Sequence, residues 1–431
     1  MAYPMGFVAV VLAIIVRPPV ARSGTRWLDA ALVLYVVFVA IQLIPLAPAL
    51  RLGLSPALRG IDLRLRVDVP ASPLADAAHP LTVDASGTME SLWLSISAIL
   101  TFWTARALFT RGGLRTAART IAGLGLALAV FGLAQHVTAP RMYYWLQRSR
   151  ATPFGPFLNH SDFSTWIVMA LAVSAGYLIA RWQAQLSRRH ELNAADAFDD
   201  VAMWLTTAIG LMAASVVVAL SRSGLIALVT AGLSLIVLSK GRLRSGRLWL
   251  VGGMLACVGL ALAYVDTGAM SARVQETMAF GLNGRAVIWR ATVPMIKDFW
   301  LTGVGAGGFE RAMMVYQPSP HATYFNHAHN EYLQLLSEGG VWLGIPALLV
   351  LAAAISSIWK RLSSDRTPIY WVRAGAVSGM AAVATQNIWE TGLRRPASLL
   401  LFAILAAIAM HSAAEPSRRA TGDAIDVRER Q

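Results

Sequence analysis

The stretch Val201–Leu238, VAMWLTTAIGLMAASVVVALSRSGLIALVTAGLSLIVL, decides the fold. Two apolar runs, 201–220 and 224–239, are parted there only by Ser221-Arg222-Ser223. A helix crosses roughly 30 Å of hydrocarbon with about 20 residues. The stretch is therefore far too long for one span, and the chain must turn at the arginine. Working outward on the same criterion, further spans fall near 27–49, 91–109, 120–137, 163–180, 248–265, 340–358, 374–389 and 397–413. A shorter run, Met5–Val16, adds an eleventh; it has neither the basic region nor the small-residue site of a cleaved signal peptide. The expected fold is an all-α integral membrane protein, a polytopic bundle of about 11 (10–12) transmembrane helices with a large helical periplasmic loop.

Composition points the same way. Of 431 residues 56% are hydrophobic and only 14% charged, too few charges to cover a water-soluble globule of this size. The net charge of +14 would suggest nucleic acid in a soluble protein, but here the positions of the charges matter more than their sum. One cysteine, Cys257, lies in an apolar run, which excludes disulfides, zinc fingers and iron–sulfur clusters within one chain.

Lys and Arg are retained in cytoplasmic loops. Segments 17–26, 106–119, 181–200, 240–247, 359–373 and 411–431 hold 22 basic residues in 88 positions, whereas 50–90, 138–160, 221–223, 266–339 and 390–396 hold 15 in 148. The first set is expected in the cytoplasm and the second outside. The division implied is 1–265 as the first eight spans with an outer loop 50–90, 266–339 as the large outer loop, 340–413 as the last three spans and 414–431 as a disordered cytoplasmic tail. Six of the eight histidines (His79, His136, His160, His321, His327, His329) fall on the outer side or at its margin. Chemistry is therefore expected away from ATP and nucleotide sugars.

The richest outer segment is Asn326-His-Ala-His-Asn-Glu-Tyr-Leu-Gln-Leu-Leu-Ser-Glu-Gly-Gly340. Leucine and tyrosine spacing reads as a helix whose first turn presents His329 and Asn330 at the mouth of the next span. An imidazole there is either a general base for a hydroxyl nucleophile or a hydrogen-bonded cap. A metal site at His327, His329 and Glu331 is disfavoured, because residues two apart on a helix diverge. Arg222 either snorkels or grips a phosphate with its planar guanidinium. Arg285, in Asn283-Gly284-Arg285-Ala-Val-Ile-Trp289, carries the same pair of readings. Gly303-Val-Gly-Ala-Gly-Gly308 matches GxGxxG, but no strand and no ribose-binding acid frame it, so it reads as a turn allowing close backbone approach. Phe154-Gly-Pro-Phe-Leu-Asn159-His160-Ser-Asp162, with Arg141, Arg148 and Arg150 nearby, suits lipid headgroups or sugar hydroxyls or is a solvated loop. No D-x-D pair placed to hold a nucleotide sugar is present.

Taken in order, Ser221-Arg222-Ser223-Gly224, Gly284-Arg285 with Ile288-Trp289, the turn Gly303–Phe309, His327-Ala-His329-Asn330-Glu-Tyr332-Leu-Gln334 and Glu338-Gly339-Gly340 resemble the bacterial O-antigen ligase and O-antigen polymerase superfamily; Gln42-Leu-Ile-Pro-Leu46 resembles a further feature of its members. The resemblance covers residues 90–360. It departs from ligases where Gly340 and Gly344 are separated by three residues instead of two, so ligase and polymerase both stay open. It implies a membrane glycosyltransferase of the bacterial inner membrane. Such an enzyme moves a glycan from undecaprenyl pyrophosphate to an acceptor, another glycan or lipid A core, at the periplasmic face, inverting and with no metal or other cofactor. Carried over by position, His329 would serve the acceptor, Arg222 and Arg285 the pyrophosphate, and Asn330, Tyr332, Glu338, Asn159, His160 and Arg150 would contact substrate. The partners expected are that donor, the acceptor and the lipid bilayer, with no nucleic acid. A transporter or flippase of lipid-linked sugars is the alternative, which the lack of charges at the centres of the spans and of an internal repeat disfavours.

Overall fold

A computed structural model describes residues 2–20, 24–65, 78–139, 142–148, 153–186, 199–242, 253, 285–317 and 324–411. Apart from Gly253, the expected span 248–265 lies outside the described residues, as do Arg150, Gly284 and the tail 414–431. Helices run in the order α1 (Ala2–Val16), α2 (Arg26–Ile41), α3 (Pro48–Leu54), α4 (Leu58–Leu65), α5 (Ala85–Thr110), α6 (Leu114–Thr138), α7 (His160–Leu186), α8 (Asp200–Val218) and α9 (Arg222–Leu238). They continue with α10 (285–298), α11 (Phe309–Tyr316), α12 (Glu331–Ser364), α13 (Ile369–Gln386), a 3₁₀ turn Gly392–Arg394 and α14 (Pro396–Ala409). A small antiparallel hairpin, Met142–Tyr143 with Gln147–Arg148, joins α6 to α7.

Five helices among the described residues are long and apolar enough to cross a membrane: α5, α6, α7, α8 and α12. The apolar helices α1, α9 and α14 are shorter, and α13, over the expected span 374–389, has Arg373 in its second turn. The protein is thus a multi-pass all-α membrane protein, and the figure of about eleven spans is not reached by the helices described.

The bundle is organised around α7, most of whose apolar window is buried. It crosses α13 where two glycines meet: a Cβ on Gly176 would stand 2.3 Å from the Trp371 carbonyl oxygen and one on Gly375 2.4 Å from that of Ala172. Side chains pin the antiparallel pair at both ends. Gln386 Nε2 donates to the Ser161 carbonyl at 3.3 Å, and at the far end Trp371 Nε1 donates to Gln183 Oε1. At that far end Arg373 pairs with Asp365, whose carbonyl accepts from Arg242 at 2.8 Å. Between α2 and α5, Arg106 is buried against Asp29 at 3.0 Å, with Trp103 Nε1 donating to the same carboxylate. Each of these buried charges meets one of opposite sign, which offsets part of the cost of taking it out of water.

A second apolar cluster, including Leu58, Ile61, Leu81, Met295, Phe299, Phe309 and Met313, lies apart from the bundle core. It joins α4, α10 and α11 into a cap over one end. The cap is fastened by Gln42, which follows α2. Its buried amide donates to the carbonyls of Thr302 (2.9 Å) and Glu338 (3.2 Å) and accepts from the Ala306 N–H (2.9 Å).

Candidate functional site

The site forms where the turn between α8 and α9, the start of α10, the loop before α12 and the segment after α13 converge. Leu220, in the turn after α8, has φ 50°. Ser221 then caps α9, its hydroxyl accepting from Gly224 N–H at 3.1 Å. The chain turns at Ser221-Arg222-Ser223 as read from the sequence, with Arg222 exposed in the first turn and the serines buried on either side. Ser221 Oγ lies 3.1 Å from Ser161 Oγ and 3.2 Å from Ser223 Oγ.

Ser223 Oγ donates to Glu390 Oε1 at 3.3 Å. The same oxygen accepts from Arg285 Nη2 at 2.9 Å, and the other carboxylate oxygen stands 3.9 Å from His329 Nδ1. One carboxylate therefore touches the arginine of α10, the histidine before α12 and the serine that follows Arg222. Burial pushes the Glu390 carboxyl up, but the facing His329 and the Arg285 guanidinium outweigh burial and hold it below the usual carboxylate range.

His329 is not in the first helical turn, contrary to the sequence reading. It sits before the helix at φ 48°, a left-handed conformation uncommon for a residue with a side chain. Three contacts fix it there. Trp289 Nε1 donates to the Ala328 carbonyl at 2.9 Å, Glu331 N–H donates to the Asn387 carbonyl at 2.9 Å, and Asn330 caps α12 by accepting from Tyr332 and Leu333 N–H at 3.0 Å each. The helix begins one residue after Asn330 because Asn330 is extended and satisfies the first free N–H groups with its side chain.

The other candidates have partners within the fold. Tyr332 Oη donates to the Ala384 carbonyl at 2.7 Å. Asn159 Oδ1 accepts from Ser161 N–H at 2.9 Å at the start of α7, whose first residue is His160. Glu338, 3% exposed, pairs with Arg394 at 2.7 Å and accepts from Gln334 Nε2 at 3.1 Å. His327 turns inward, its Nδ1 3.4 Å from Gln334 Nε2. Burial, helped by Arg394 and Arg395, lowers its pKa to about 3.

Sequence reasoning passed over the short segment after α13, where Glu390, Arg394 and Arg395 lie. Arg394 also reaches Glu331 at 3.4 Å, and Arg395 pairs with Asp162 at 2.7 Å. The signal was available: these charges sit between two apolar runs on the side that holds few of them. Nearby, Gln386 Oε1 and Asn387 Oδ1 are buried acceptors with no hydrogen-bond partner in the protein.

The glycine turn supports this constellation without touching it. Gly303, at φ 67°, packs so tightly on α12 that a Cβ would stand 2.2 Å from the Glu338 carbonyl. Val304 and Gly305 N–H donate to the Ser337 and Glu338 carbonyls at 2.9 and 3.0 Å. That arrangement is a splint for a helix and no nucleotide cradle.

Among known proteins, residues 207–351 match the family model described as O-Antigen ligase. No curated protein matches the chain. The match begins within α8, takes in the Arg222 turn, Arg285 and His329 and ends within α12 at residue 351; it supports membership in the O-antigen ligase family.

Proposed function

We propose, from the match of residues 207–351 to the O-antigen ligase family, that the protein is a membrane glycosyltransferase that moves a glycan from undecaprenyl pyrophosphate to an acceptor hydroxyl, a glycan repeat or lipid A core, at the periplasmic face of the bacterial inner membrane. The observation that carries this reading is the convergence of Arg285, His329 and the Ser221-Arg222-Ser223 turn on Glu390. More than 100 residues separate Arg222 from His329, and packing alone has no need to gather two basic side chains and an imidazole at one end of a bundle.

The roles follow from where charge develops. As the anomeric C–O bond to the donor breaks, its electron pair leaves with the pyrophosphate, and fixed cations stabilise that charge. Arg222 and Arg285 supply them, each able to meet phosphate oxygens bidentately. His329 takes the acceptor proton as the new C–O bond forms, on the face opposite the leaving group, which inverts the anomeric centre. No metal or other cofactor has a part in this scheme.

Transfer from purified lipid-linked donor in detergent tests the reading. Arg222→Ala and Arg285→Ala are expected to abolish transfer while Lys at either position keeps a fraction, since a point charge loses the planar fork. Correctly inserted Ala variants with wild-type turnover would overturn the phosphate role.

A further inference from the structure

The geometry points to Glu390 as the positioning residue that couples the two halves of the site: it holds Arg285 while the donor is absent, and when donor phosphate takes that arginine it closes on His329 Nδ1, leaving Nε2 to receive the acceptor proton. This rests on the transferase reading above.

Glu390 is mostly buried, yet it is anchored by neither helix backbone nor a single partner. It occupies the loop between α13 and the 3₁₀ turn, with Oε1 shared between Arg285 and Ser223 and Oε2 facing His329. At 3.9 Å the imidazole is within ion-pair range but beyond a hydrogen bond. Nδ1 of His329 is itself buried without a hydrogen-bond partner. Such a nitrogen calls for an acceptor, and the nearby carboxylate oxygen is one. A shift of about 1 Å completes the bond. The left-handed backbone at His329 is fixed by Trp289, Asn387 and Asn330, so the carboxylate, released from Arg285, is the group free to move.

Phosphate competes directly for the guanidinium, because charge-assisted pairs of arginine with phosphate and with carboxylate use the same donors. Donor binding thus frees the group that orients the base. In the step itself the acceptor O–H bond breaks, its proton passes to Nε2, the new C–O bond forms at the anomeric carbon and the electron pair of the old one departs with pyrophosphate. The imidazolium so formed faces the Glu390 carboxylate. A carboxylate in that place fixes the tautomer of the imidazole and stabilises its charged form. The other charged groups about His329 are Arg285, His327 and Asp162, with Arg394 and Arg395 beyond them.

The test compares full-length Glu390→Gln, Glu390→Asp and His329→Ala in detergent, reading kcat, donor KM and the pH–rate profile of transfer from a lipid pyrophosphate-linked glycan. Glu390→Gln keeps the shape and the hydrogen bond to Ser223 but removes the charge. It is expected to lose about 10²-fold in kcat, the usual scale of positioned acid–base catalysis, with donor KM unchanged or lowered because Arg285 is no longer held. Its acid limb should move to lower pH, since the imidazolium loses its counter-charge. Glu390→Asp should keep the wild-type limb at reduced rate. A purely structural role would lower yield or kcat and leave the limb in place, and that result overturns the inference, as does wild-type turnover in Glu390→Gln. Loss in His329→Ala with no effect in Glu390→Gln sinks this inference alone. Wild-type turnover in His329→Ala sinks the base reading on which it rests.

Discussion

His327 and His329 stand two residues apart and face different surroundings: one is drawn into the Gln334–Glu338 network, the other meets Glu390. His329→Ala is expected to lose about 10²-fold or more in turnover with donor binding largely kept, measured as kcat and KM for lipid-linked donor. His327 should tell in stability instead. Its folded pKa of about 3 lies below the ordinary value near 6.5 for an exposed chain. Between those two pH values the unfolded chain binds a proton that the folded protein refuses, so stability falls as pH drops from about 6.5 toward 3, with a slope of up to about 1.4 kcal/mol per pH unit. His327→Gln, which keeps a polar partner for Gln334, should flatten that slope. Thermal unfolding in detergent from pH 7 to pH 5 measures it, and an unchanged slope would refute the assignment. The sequence identified both residues but not their backbone. Leu and Tyr spacing carries the helix two residues too far toward the N-terminus, because Asn330 is the cap and His329 precedes it.

At the scale of elements, α12 shows what the motif Glu338-Gly339-Gly340 is for. Gly340 has φ 52°, ψ −148° inside the helix, and the break opens its backbone to a neighbour: Val341 and Trp342 N–H donate to the Trp300 and Leu301 carbonyls at 2.8 and 3.0 Å. The break therefore turns a membrane helix into a docking edge for the cap. Gly340→Ala would force a side chain into a backbone region costing about 1–3 kcal/mol and set its Cβ 2.6 Å from the Trp300 carbonyl oxygen. A fall in melting temperature with little monodisperse protein is expected by size-exclusion chromatography. Gln42→Ala should weaken the same junction, because it removes the side-chain partner of the Thr302 carbonyl and the Ala306 N–H, each worth about 1–3 kcal/mol when buried and unsatisfied, and leaves the Glu338 carbonyl with the Gly305 N–H. The glycine pattern was legible as a turn from sequence alone. What it packs against was not, since residues 42, 82, 303 and 338 are brought together only by the fold, with Thr82 N–H donating to the Gln42 carbonyl at 3.2 Å.

At the scale of the molecule, the structure separates two sets of charges along the same helices. Arg242, Asp365 and Arg373 cluster at one end of α9, α12 and α13, and the Glu390 constellation lies at the other. The sequence had already sorted the segments carrying these groups into two sides by counting Lys and Arg, so the polarity of the bundle was legible before the fold. The number of spans was less so, since an apolar run of 14–17 residues does not distinguish a short span from a helix packed within the bundle. Sidedness can be measured on α12 by itself. Beyond the break at Gly340, residues 341–364 form 24 residues of helix, about 36 Å at 1.5 Å per residue, enough to cross roughly 30 Å of hydrocarbon. Lys360 and Arg361 in its last turns should be retained in the cytoplasm, which puts His329 outside. With the single native thiol removed by Cys257→Ser, Tyr324→Cys and Ser364→Cys place one reporter near each end, both at exposed positions. A membrane-impermeant maleimide should label Tyr324→Cys in intact spheroplasts and Ser364→Cys only after lysis. The reverse pattern would put the site in the cytoplasm, in reach of nucleotide sugars, and a transferase fed by a lipid-linked donor at the outer face would no longer be tenable.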